Sequence, residues 1–179
     1  MKKAYFRLLL LPLIMAAGIG QAAAENNSAD LVISGKIKPD TFMCHVVLSE
    51  TSISLLEKTD TLIKQGEDAT APTVIHISVD NGDPRCTALV DEGKIAYKVL
   101  GNADSINPYA LANALSDETA AKGVAIGVFD GANKPFAINT GQLESKTDTT
   151  IGLQMVQLSG QEAVPGNINA MATVQIERL

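Results

Sequence analysis

With 179 residues, 46% of them apolar but only 4% aromatic and none Trp, the chain has room for one domain with a mostly aliphatic core. Its 20 acidic residues against 14 basic ones give a formal charge of −6. That sign argues against nucleic acid or an anionic membrane surface as the main partner.

The opening stretch "MKKAYFRLLLLPLIMAAGIGQAAAE" has a basic start (Lys2, Lys3, Arg7), an apolar run from Leu8 to about Ala17, and small residues before Glu25. This is the anatomy of a secretory signal peptide, and the apolar run is too short for a membrane span. Ala22 and Ala24 form an A-x-A site, so residues 1–24 are the expected signal peptide; a cut after Ala22 is the alternative. Removing the three basic residues takes the formal charge from −6 to −9. Export into an oxidising compartment leads us to expect that Cys44 and Cys86 form a disulfide. Their wide separation is unlike the C-x-x-C spacing of a redox pair. Closing such a loop stabilises a fold by roughly 4 kcal/mol in the chain-entropy model.

The rest reads as short strands separated by turn chemistry. In "ENNSADLVISGKIK", Ala29, Leu31, Ile33 and Ile37 share one parity, with Gly35 interrupting. After Pro39-Asp40, "FMCHVVLSE" places Phe42, Cys44, Val46 and Leu48 on one face, and "TSISLL" follows as a short strand. "EKTDTLIKQGEDATAP" is polar and reads as a surface connection. "TVIHISVDN" alternates Thr73, Ile75, Ile77 and Val79 against Val74, His76 and Ser78, and the turn "NGDP" ends it before Cys86. "GKIAYKVLG" puts Ile95, Tyr97 and Val99 on one face. Asn107-Pro108 resembles an N-cap with a first-turn proline, which predicts a short helix near Tyr109–Leu115. "GVAIGVFDGANKPFAI" reads as two strands around Asp130-Gly131. "TTIGLQMVQLSG" aligns Ile151, Leu153 and Met155. The closing "NINAMATVQIERL" alternates Ile168, Ala170, Ala172, Val174 and Ile176. Strands at this spacing suggest an all-β sandwich.

Motifs for catalysis are scarce. The two histidines, His45 and His76, lie on strands opposite the apolar parity, where a surface position is expected, and a metal site needs more ligands than they supply. No G-x-S-x-G elbow, EF-hand loop or nucleotide-binding glycine fingerprint is present. We therefore expect no catalytic residue, no metal, no cofactor and no small-molecule substrate.

An apolar strand at the end of the sequence needs something along its open side, because an exposed hydrophobic edge invites aggregation. At this point the sequence resembles the chaperone–usher pilins, subunits of type 1-like fimbriae of Gram-negative bacteria. The resemblance runs over the whole chain after the signal peptide. It rests on an N-terminal extension leading to Gly35, on the two cysteines, on "AKGVAIGVFDGANKPFAI", and on "GLQMVQLSGQEAVPGNINAMATVQIERL".

The resemblance implies an incomplete immunoglobulin-like sandwich lacking its last strand, completed by a donor strand from another subunit. It divides the chain into a signal peptide (1–24), a donor extension (25–35) and a pilin domain (36–179). Ala29, Leu31 and Ile33 would be the donor side chains, on one face of an extended segment. The acceptor groove would run between Val46 and Leu48 on one side and Ile168, Ala170, Ala172, Val174 and Ile176 on the other. Gly166, Arg178 and Leu179 fall where the family's chaperone-contact motif lies, although Arg178 stands where members commonly carry a tyrosine. The implied partners are neighbouring pilin subunits in a head-to-tail polymer, a periplasmic chaperone and an outer-membrane usher, and the implied destination is a fimbria on the cell surface, reached through the periplasm. The alternatives are a minor adaptor or terminator subunit of such a system, or a self-contained periplasmic binding domain.

Overall fold

The computed structural model describes residue 34 and residues 44–79, 83–146 and 148–179. Apart from Ser34 these belong to one compact unit, Asp40–Leu179. The signal segment, the three expected donor residues and Gly35 lie outside the described residues.

Two sheets face each other. The larger carries β1 (Val46–Leu48), β3 (Thr73–Val79), β8 (Thr149–Gln157), β6 (Val124–Phe129) and β5 (Ala110–Leu111) in that order. A two-residue strand β2 (Ile63–Lys64) lies parallel to β8. The smaller sheet runs β7 (Leu143–Glu144), β4 (Ile95–Gly101), β9 (Ala172–Arg178). All pairings but that of β2 are antiparallel. This is the sandwich that the period-2 alternation predicts.

The alternating residues fill the space between the sheets. Ile75, Ile77 and Val79 of β3 meet Ile95, Tyr97 and Val99 of β4, all buried. The Tyr97 hydroxyl is satisfied there, accepting from Ser145 Oγ at 3.0 Å. Burial pushes its ionisation up, since the phenolate would be poorly solvated. His45 and His76 are exposed, as their parity predicts. His76 Nδ1 lies 2.8 Å from Asp148 Oδ1.

Several elements differ from the sequence reading. The helix is not at 109–115. It is α1 (Pro84–Asp91), placed where a turn was expected. Both sites have an Asx-Pro pair, and each Asx side chain accepts from the backbone N–H two residues on: Arg85 for Asp83, Tyr109 for Asn107. What separates them is the sequence that follows. After Pro84, Cys86 and Leu89 are three apart and bury one helical face. After Pro108, Ala110 and Leu111 are both buried as β5 pairs with β6. The disulfide between Cys44 and Cys86 is formed and ties α1 to the chain entering β1.

The segment 57–72, expected as a polar surface connection, is partly a structural layer. Gln65 and Ala69 are buried, and Ala69 joins Ala110, Ala125, Phe129 and Val156 in a second cluster. This cluster includes Val156, which lies on the opposite parity of β8 from Ile151, Leu153 and Met155. Gln154 is 3% exposed, and its Oε1 accepts from Thr70 N at 3.0 Å and Ala71 N at 3.1 Å. Gly152 leaves room for this cover, because a Cβ there would come within 2.8 Å of Pro72. The central strand β8 is thus coated on both faces. The second half of "GVFDGANKPFAI" makes only one bridge, Phe129 to Pro135, while Phe136 and Ile138 turn into the core.

The Asp83 cap gives a pH prediction. Arg85 donates to the Asp83 carboxylate through its side chain, at 2.6 Å, and through its backbone N–H, holding the group at about 2, below its ordinary 3.8. A depressed carboxyl contributes stability that is intact above its ordinary range and lost as pH falls through the folded value. Melting temperature should therefore fall more steeply between about pH 4 and pH 2 in the natural chain than in Asp83→Asn. Parallel slopes in circular-dichroism melts of the two would contradict this.

Candidate functional site

β9 is hydrogen-bonded to β4 along its whole length, from Gly101 opposite Ala172 to Ile95 opposite Arg178. Among the described residues no strand pairs its other edge. Every second residue of a strand directs its backbone N–H and C=O to each side, so this edge presents a row of groups ready for another strand.

Beside that edge the two sheets part. A groove of about 530 Å³ opens between segment 48–55 and segment 168–174. Its floor comes from both sheets: Ile75, Ile151, Leu153 and Met155 from the larger, Val99 from the smaller. Leu111 and Ile126 of the larger sheet also line it. A second hollow of about 320 Å³ shares Met155 and Ile168 with the first and extends past Leu62 and Val164. The lining is predominantly aliphatic. Among the described residues every buried side-chain polar atom already has a hydrogen-bond partner, so the groove offers an apolar guest shape and contact.

Parts of both walls, 51–58 and 168–171, follow the two-residue period without belonging to a ladder. In 51–58, Ile53, Leu55 and Glu57 are partly covered while Ser54 and Leu56 are exposed, Leu56 at 98%. This stretch is in no strand, so the short strand expected at 51–56 is instead an irregular segment whose alternation reflects groove lining. It is anchored by Glu57, whose Oε1 accepts from Met155 N at 3.0 Å. On the other side the expected strand over 168–176 begins only at Ala172; Ile168 and Ala170 are half-buried ahead of it.

Of the seven residues expected along the groove, Leu48, Ile168, Ala170, Ala172 and Val174 line it. Val46 and Ile176 do not; they are half-buried against the main core. The sequence reading missed Ile53 and Leu55, the floor residues of both sheets, and Glu57. For the floor, the signal was the groove-facing parity of β3 and β8. Glu57 had none, since its bond to Met155 spans 98 residues.

The three residues placed in the chaperone-contact motif sit at separate points. Gly166 lies against the backbone of 119–121, where a Cβ would come within 2.6 Å of the Ala120 carbonyl carbon and 2.7 Å of Thr119 O. Arg178 ends β9 opposite Ile95, and the Leu179 N–H donates to Lys94 O at 3.0 Å. The Leu179 side chain is mostly exposed.

A family profile described as "Fimbrial protein" matches residues 31–177. The chain belongs to this family. The fold of this fimbrial protein agrees: the P pilus rod subunit PapA superposes with a TM-score of 0.55 at 14% identity, over 85% of this chain and 100% of that one. A chaperone–usher pilus structure gives a TM-score of 0.43 at 15% identity, covering 84% of this chain and 100% of that one. The P pilus adaptor subunit PapF gives 0.38 at 13% identity, covering 76% and 95%. Fits at those two scores add nothing to the fold assignment. No curated protein matches the fimbrial protein by sequence. Among its described residues no group of three or more His, Cys, Asp or Glu is placed to hold a metal ion.

The close approach at Gly166 gives the second prediction. Gly166→Ala must push segment 164–169 off the 119–121 backbone, an overpacking that costs about 1–3 kcal/mol. In this size range that lowers the melting temperature by roughly 2–10 °C. An unchanged thermal unfolding curve would show that the wall gives way freely.

Proposed function

We propose that this fimbrial protein is a structural subunit assembled by the chaperone–usher route through donor-strand exchange. The observation that carries the proposal is the apolar groove beside the edge of β9 that no strand pairs among the described residues. A single extended strand would pair the edge and fill the gap between the sheets in one step. This is β-strand addition, with main-chain bonds supplying affinity and alternate side chains supplying fit. Ala29, Leu31 and Ile33 of the next subunit have the required alternation. Burying Leu31 and Ile33 is worth about 1.5–3 kcal/mol each before ordering costs.

Because donor and acceptor are different surfaces of one chain, the contact is head-to-tail and propagates as a filament. The polymer is carried to the cell surface as a fimbria, where it supports adhesion. Before assembly a periplasmic chaperone covers the groove and an outer-membrane usher receives the subunit. The protein has no catalytic role in this scheme. A complete periplasmic binding domain is a poorer reading, since it would close the gap that residues 48–55 and 168–174 leave open.

The test compares a chain beginning at Lys36 with the same chain carrying a copy of Asn26–Ile37 after Leu179 through a flexible linker. The copy should convert an unstable or aggregating chain into a monomer melting of order 10 °C higher. Leu31→Asp in the appended copy should abolish the gain. A shortened chain that is already a stable monomer, and gains nothing from the copy, would overturn donor-strand exchange.

A further inference from the structure

The wall at 166–171 belongs to no strand, yet it faces the groove across Ile168 and Ala170. One side chain uses its full hydrogen-bonding capacity on this region. Asn113 Nδ2 donates to Asn167 O at 3.0 Å and to Ala121 O at 3.2 Å. Its Oδ1 accepts from Asn169 N and from Leu115 N, each at 3.0 Å. An amide has two donors and two acceptor lone pairs, so nothing remains unused. Two of the four bonds go to residues 167 and 169, which bracket Ile168, and 169 also precedes Ala170.

Neighbouring bonds run in the same direction. Asn167 N donates to Thr119 O at 2.7 Å, Ala121 N to Asn167 O at 2.8 Å and Ala114 N to Asn169 O at 2.8 Å. The Asn167 side chain donates to Thr119 Oγ1 at 3.2 Å, and that hydroxyl donates to Asp117 Oδ1 at 2.7 Å. The Thr119 hydroxyl and backbone N–H hold the Asp117 carboxyl below the usual carboxylate range. Asn113 and Thr119 themselves do not line the groove.

We infer that Asn113 is a positioning residue for the groove: it fixes how far Ile168 and Ala170 stand from the opposite wall, and so sets the fit of one donor side chain at that end. The inference rests on the donor-strand reading. A carboxylate at 113 keeps the acceptors but places an oxygen, in place of an N–H₂, against two carbonyl oxygens. The wall should then retreat locally while the sheets and the Cys44–Cys86 link stay as they are.

The experiment uses the full chain after the signal peptide, at a concentration where light scattering shows monomer. Its partner is a fluorescent peptide copying Asn26–Ile37, followed by anisotropy. Three altered peptides carry Ala29→Gly, Leu31→Ala or Ile33→Ala. Asn113→Asp should weaken the unaltered peptide by about tenfold, the scale of a mispaired polar group. For one altered peptide the penalty should shrink to about twofold, since that donor side chain no longer touches the displaced wall. A role in stability alone would weaken all four peptides by the same factor, and that result overturns the inference. So does equal binding by the natural chain and the variant. If the natural chain binds no peptide, donor-strand exchange itself fails. If Asn113→Asp does not fold, Thr119→Val loosens the same wall by removing the Asn167 side-chain bond to the hydroxyl, together with the hydroxyl's bond to Asp117. It should show the same one-position pattern at smaller amplitude, and its absence overturns the inference.

Discussion

The β9 edge is where two costs meet in one place. A strand paired on one side has backbone donors and acceptors on the other that must find water or protein, and here the water-facing side borders an apolar groove. Water that solvates the edge also wets the half-covered Leu153, Ile168 and Ala170; excluding water leaves the backbone unpaired. No side-chain rearrangement relieves both costs, since among the described residues no strand covers this edge. An extended guest with alternating apolar residues relieves both at once. The rest of the structure is arranged around keeping that vacancy open and correctly shaped.

Keeping a gap open in a protein core is difficult, since interiors close-pack and small voids collapse where the walls can move. Here the walls are held from outside. The larger sheet is stiffened by the second layer over β8, where Gln154 binds the 70–71 backbone and Val156 packs under Ala69. The disulfide fixes the approach to β1. Segment 51–58 is pinned through Glu57 to Met155, and segment 166–171 through Asn113 and the fit of Gly166 against residues 119–121. Side chain-to-backbone bonds serve in both walls where strand pairing would serve in a closed sandwich. A ladder on the groove side would occupy the positions that a donor strand needs.

The sequence showed most of the sandwich and part of the groove, and the division has a physical cause. Period-2 alternation reports burial on one side of an extended chain, so β3, β4, β8 and β9 were legible from Ile75, Tyr97, Leu153 and Val174. The same signal cannot distinguish a laddered strand from an extended wall, which is why 51–56 and 168–171 read as strand. Local chemistry misled at Asn107-Pro108, because the Asx turn there is the same turn that caps α1 at Asp83; only the burial of Ala110 and Leu111 against β6 decides against helix. The bonds of Asn113 to 167 and 169 and of Glu57 to 155 join residues 54 to 98 apart in sequence. Nothing local marks either residue. The N-terminal alternation of Ala29, Leu31 and Ile33 was legible for the same reason, as a period-2 pattern on one face of a short segment.

An apolar groove beside a strand edge unpaired among the described residues would select an extended guest mainly by its alternation, and such selection is weak by itself. Many extended segments satisfy it. Specificity must come from the depth of the groove at successive positions, where a one-residue slip turns every donor side chain to the wrong face. The groove narrows that choice by mixing sizes along one wall, with Ile168 and Val174 large and Ala170 and Ala172 small between them. A donor with a bulky residue opposite the alanines and a smaller one opposite the large residues fits in one register and clashes in the next. On the donor-strand reading proposed above, residues that set the height of this wall govern which strand is accepted, even when they never touch it.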